Sequence, residues 1–109
     1  MKNIYLVLIA LFSLASNAHS QVVINEVYGG GGNAGATYRQ DFIELYNNSA
    51  SPIILTGWSV QYASATGTTW ARTDLTGTIP ANGYFLIQEA TGAGGTTNIP
   101  TPEVTGIIA

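Results

Sequence analysis

Apolar and polar residues alternate with a period of two along two runs early in the chain, Val22–Tyr28 and Asp41–Asn47. That period predicts strands, because successive side chains of a strand point to opposite faces. Each run carries the same short pattern, Ile24-x-Glu26-x-Tyr28 and Phe42-x-Glu44-x-Tyr46. On regular strands each pattern sets an apolar residue, a carboxylate and a tyrosine on one face. Further strands are expected at Ile53–Leu55, Trp58–Ala63, Thr68–Arg72, Thr76–Ile79 and Tyr84–Glu89. In Trp58–Ala63 the residues Trp58, Val60 and Tyr62 share a face, expected to turn inward. Turn chemistry separates the strands at Asn47–Pro52, Ser64–Gly67 and Pro80–Gly83. From residue 21 onward no apolar rhythm of three and four is long enough for a helix. The pattern predicts an all-β sandwich or barrel.

The two ends read differently. Met1-Lys2-Asn3 precedes an apolar run, Ile4–Ala15, and then the small residues Ala18 and Ser20. This is the layout of a secretory signal peptide over residues 1–20, with cleavage expected after Ser20. The apolar run is shorter than the roughly 20 residues of a membrane-spanning helix, so no span is expected after cleavage. Export to the extracellular space, the cell surface or the periplasm follows from that reading. Beyond Ala90 comes a connection rich in glycine and proline, and the chain stops at Thr105-Gly106-Ile107-Ile108-Ala109. Those residues read as the first half of another strand, so residues 21–109 are expected to form a domain incomplete at its C-terminal end.

Composition narrows the chemistry. Without residues 1–20 the chain has no lysine, histidine or cysteine, and Arg39 and Arg72 face six carboxylates, a net charge of −4. Nucleic-acid binding relies on clustered Lys and Arg, so none is expected of this domain. No disulfide is available, and a domain this small has a thin stability margin. Serine or threonine nucleophiles would lack a His or Lys base, and the usual zinc ligands are absent. No catalytic residue is expected. Gly30-x-Gly32-x-x-Gly35 matches the dinucleotide-binding expression, but a strand follows it where pyrophosphate binding needs a helix N-terminus. The glycines are expected to serve a wide connection between strands, some at positive φ. Carboxylates remain. If the patterned strands pair, Glu26 and Glu44 share a sheet face, and with Asp41 at the mouth of the glycine loop they form a candidate calcium set. The plainer expectation pairs each glutamate with Arg39 or Arg72, or has it cap a loop amide, with no cofactor at all. Trp58, Tyr62 and Trp70 are candidates for a sugar-stacking platform, Trp70 being the one expected to be exposed. Asn47-Asn48-Ser49 is formally a glycosylation sequon.

Ile24-Asn25-Glu26-Val27-Tyr28, the glycine loop and Asp41-Phe42-Ile43-Glu44-Leu45-Tyr46-Asn47 together resemble the opening of the lamin tail domain. Pro52–Trp58, ending in Gly57-Trp58, and Pro80–Ile87 resemble later segments of that family in the same order. The resemblance covers nearly all of Val22–Ala90 and is closest to the bacterial exported form. It implies an immunoglobulin-like β-sandwich, a binding or tethering role without catalytic residues, and frequent placement at the N-terminus of secreted nucleases of the endonuclease/exonuclease/phosphatase type. It also implies one or two strands beyond Ala109, and hence an unpaired edge beside Tyr84–Glu89.

Overall fold

A computed structural model describes residues 21–109; the expected signal peptide lies outside the described residues. The described chain is all β. Its strands are β1 (Val22–Tyr28), β2 (Gln40–Asn47), β3 (Ile53–Ile54), β4 (Ser59–Tyr62), β5 (Ala71–Asp74), β6 (Thr78–Ile79), β7 (Tyr84–Thr91) and β8 (Val104–Thr105). One layer is a four-stranded sheet in the order β1-β2-β7-β8; two short antiparallel ribbons, β3-β6 and β4-β5, form the other. The amide of Leu55 donates to Gly77 O, that of Trp58 to Leu55 O and that of Leu75 to Trp58 O, which ties the ribbons into one layer.

The core lies between the layers because the inward positions of both are aliphatic or aromatic. Leu45, Phe85 and Ile87 from the large sheet meet Leu55, Leu75 and Ile79 from the ribbons, and Val22, Ile43, Ile53, Val60 and Val104 close around them. Six buried side chains of this size, at roughly 1.5–3 kcal/mol each, are the main source of stability in a chain without a disulfide. The architecture is the small immunoglobulin-like sandwich that the resemblance implies, and it resolves the choice of sandwich or barrel that alternation and turn spacing leave open.

The strand pattern departs from expectation in four places. The fifth strand is displaced from Thr68–Arg72 to Ala71–Asp74, leaving Trp70 outside it. The patterned strands do pair and Glu26 stands opposite Glu44, on the shared face expected of that pairing, but a bulge between Ile24 and Glu26 adds Asn25 to β1. Ile24 therefore pairs with Leu45 and joins the inner face, while Glu26 stays on the outer one. The expected common face of Ile24, Glu26 and Tyr28 is broken by that one extra residue. Thirdly, β7 has no bare edge where it was expected. β8 runs parallel to it through Ile87↔Val104 and Gln88↔Thr105, and the amide of Ala90 donates to Ile108 O. The bare edge is β1, most of whose residues are exposed. Lastly, Trp58 and Tyr62 are not inward: they are 47% and 50% exposed, while Val60 between them is half-buried. Alternation put the three on one face, but the bulged edge strand β1 does not close over the β4–β5 ribbon. A cavity of 270 Å³ between Ile24 on β1 and Trp58 and Val60 beside it remains open.

Candidate functional site

The connection between β1 and β2 is not loose. Gly31 N–H donates to Asp41 Oδ1 at 2.7 Å and Gly32 N–H to Tyr38 O at 2.9 Å. The amide of Gly94 returns to Gly32 O at 2.8 Å, and that of Gly92 to Arg39 O at 3.0 Å. Gly32 has φ of 74°. A Cβ built on it would lie 2.2 Å from Gly92 Cα, so two backbones touch where a side chain has no room. The glycine loop is a backbone-to-backbone joint with residues 92–95, rather than the wide, open connection expected. It leads into β2, so it has no helix N-terminus for a pyrophosphate.

On the outer face of the large sheet the aromatic residues of the repeated pattern come together. Tyr28 stacks on Phe42 with centroids 5.2 Å apart, and Tyr38 sets its edge against both. At the far end Tyr46 packs on Tyr84 at 4.9 Å. Glu26 and Glu44 lie between these clusters and line a shallow cavity with Tyr38, Leu86 and Pro100. Glu44 Oε1 accepts from Asn25 Nδ2 at 2.7 Å. Of the expected arginine partners, Arg72 pairs instead with Asp74 at 2.9 Å on an exposed part of β5. Asp41, the third member of the calcium set, is not brought to the other two; it lines a different cavity, together with Glu89. Among the described residues no group of three or more His, Cys, Asp or Glu is placed to hold a metal ion.

Two polar residues matter more than the sequence suggested. Asn47, the acceptor position of the sequon, is fully buried. Its Nδ2 donates to Ser51 O at 2.8 Å and to Pro80 O at 3.1 Å, and its Oδ1 accepts from the amide and hydroxyl of Ser49. It is a pin between two turns and is closed to a glycan. Glu89 is 3% exposed. Its Oε2 accepts from Thr73 Oγ1 at 2.9 Å and from the amide of Ile108 at 3.0 Å. A signal for Glu89 was available, because Phe85, Ile87 and Glu89 share one parity in β7 and the first two are core residues.

Trp70 is 62% exposed, as expected, and Trp58 and Tyr62 join it at the surface. Ile24 lines a cavity with Trp58, Val27 lines another with Tyr62, and both are exposed, so an open apolar rim runs along β1.

The model of the lamin tail domain family matches residues 15–105. The chain belongs to that family. No curated protein and no solved structure matches it. This lamin tail domain combines a small closed core, an open aromatic rim and a buried carboxylate. No helix among the described residues of the lamin tail domain is long and apolar enough to cross a membrane.

Proposed function

We propose that this lamin tail domain is a non-catalytic exported module that tethers or positions a partner or a downstream enzyme domain. The observation that carries the reading is the open rim. Ile24 and Trp58 line one open cavity and Val27 and Tyr62 another, and all four are exposed while the core beneath them is closed. Exposed apolar surface of this kind marks interaction sites, and a rim rich in Trp and Tyr suits the centre of an interface. The absence of His, Lys and Cys from residues 21–109 supports a role without catalysis. Removal of residues 1–20 would deliver the domain to the extracellular space, the cell surface or the periplasm of a bacterium. The resemblance to the exported form makes a secreted nuclease domain the enzyme most in keeping with the positioning role.

Retention at the surface tests the reading. Full chain carrying Trp58→Ser and Tyr62→Ser is expressed beside the unsubstituted chain in a bacterial host, and cell-bound and released fractions are compared. The unsubstituted chain is expected to stay bound and the variant to be released with an unchanged melting temperature. Equal partition of the two sinks the proposal. Exposure of Trp58, Tyr62 and Trp70 also favours a second reading, a carbohydrate surface. Release of the unsubstituted chain by soluble polysaccharide would identify it.

A further inference from the structure

An open backbone edge, an apolar cavity and an opposed pair of carboxylates meet along β1. The large sheet begins at β1, and among the described residues no strand pairs with its outer side. Every residue from Val23 to Val27 is exposed. A strand edge of this kind carries backbone N–H and C=O groups at the spacing that another strand needs. The start of β1 is held inward, since the amide of Asn48 donates to Gln21 O at 2.8 Å. The middle is open, with Ile24 63% and Val27 65% exposed.

The two faces of this edge differ in chemistry. On the inner face Ile24 pairs with Leu45 and Val27 with Ile43, both of which belong to the core or pack against it. Ile24 also lines the 270 Å³ cavity, together with Leu45, Trp58, Val60 and Leu75. On the outer face Glu26 stands opposite Glu44, so two carboxylates repel each other across the strands. A strand laid along β1 would therefore set apolar residues beside Ile24 and Val27 and a single outward residue beside Glu26. On its other side β1 already meets these three positions with the consecutive residues Ile43, Glu44 and Leu45, so the bulge at Asn25 suits three in a row. A third carboxylate at the middle position would add to the repulsion, whereas a lysine or arginine would relieve it. A second copy of β1 is a poor occupant, because VVINEVY offers a carboxylate and no base.

We infer that the β1 edge takes an extended segment of another protein with the pattern apolar–basic–apolar, added as a fifth strand of the large sheet. Its apolar side chains cover the cavity beside Trp58, and its basic side chain lies over Glu26. The inference rests on the tethering reading and names the chemistry of the partner.

The test is titration of the ¹⁵N-labelled full chain with the peptide acetyl-VTIKLTV-amide. Saturable shifts are expected at the amides of Val23 to Val27 and at the Trp58 indole N–H, with slower amide exchange along β1. Acetyl-VTIELTV-amide, with the charge reversed, is expected to bind up to about tenfold more weakly. Glu26→Lys is expected to invert that order, an outcome that a folding defect does not produce. Alternate amides of a strand point to opposite edges, so of two peptides N-methylated on alternate sets one is expected to lose binding altogether. Equal affinity of the two charge forms, an order that Glu26→Lys leaves unchanged, or full binding by both N-methylated peptides would each overturn the inference. So would dimers of the chain, formed through the same amides and untouched by the basic peptide, since they assign the edge to a second copy. Cell retention that depends on Trp58 and Tyr62, without binding of either peptide, overturns this partner chemistry and leaves the tethering reading standing.

Discussion

Gly32 and Gly92 cross with their backbones in contact, at a separation that leaves no room for a β-carbon on either. The two belong to distant parts of the sequence, the β1–β2 connection and the segment that follows β7. Their contact locks two glycine-rich stretches into one joint.

Gly32→Ala is therefore expected to be costly. It combines left-handed backbone strain of about 1–2 kcal/mol with backbone overpacking of about 1–3 kcal/mol. Gly35 has a similar φ of 82° but open space around its Cβ position. Gly35→Ala is expected to cost only about 1 kcal/mol. Urea denaturation of the two variants measures the difference, and equal midpoints would refute the joint.

Asn47→Ala removes a buried amide that satisfies carbonyls in two turns. A loss of about 2–4 kcal/mol is expected, against no more than about 0.5 kcal/mol for Asn48→Ala next door. Thermal melts of both give the comparison. Expression in a eukaryotic secretory pathway should leave Asn47 without a glycan, which mass spectrometry of the intact chain would reveal.

Glu26 and Glu44 oppose each other directly across β1 and β2. Like charges in that position are destabilising, so Glu26→Lys is expected to stabilise by about 0.2–1 kcal/mol. The gain should shrink as salt rises, because Glu26 is exposed and screening is effective there. Calcium at millimolar concentration is expected to raise the melting temperature no more than magnesium does, since two carboxylates are too few ligands. A calcium-specific rise that vanished in Glu26→Gln would instead establish a site.

Trp70→Ala is expected to leave stability within about 0.5 kcal/mol, because the ring is largely exposed. Leu75→Ala, five residues on and buried against the core, should lose about 2–5 kcal/mol. Chemical denaturation of the pair checks whether Trp70 is free of structural duty.

The parts of the fold visible in the sequence are those governed by local alternation. β1, β2 and β7 repeat with period two over seven or eight residues, and their positions follow from that alone. That Glu26 and Glu44 share a face once β1 and β2 pair was legible for the same reason; their direct opposition was not, because alternation does not set register. The bulge at Asn25 was not, because an extra residue in one strand is a property of the pair and leaves no mark in either strand's composition. Trp58 and Tyr62 show a second limit. Alternation groups residues by face but does not say which face another layer covers, and here the covering strand is a bulged edge. β8 is two residues long and pairs in parallel with a strand some fifteen residues earlier, so no local signal announces it. Glu89 was legible in principle: its parity in β7 places it inside with Phe85 and Ile87.

The parallel register of β8 on β7 also orders events in time. During synthesis β7 emerges with one side open, and the residues that cover it, Glu103 to Ile108, emerge only afterwards. Until they do, Leu86, Gln88 and Ala90 present unmatched backbone groups, and the Glu89 carboxylate lacks the amide of Ile108. A ribosome that pauses before residue 108 has cleared the exit tunnel holds a chain whose sheet is still able to recruit a foreign strand.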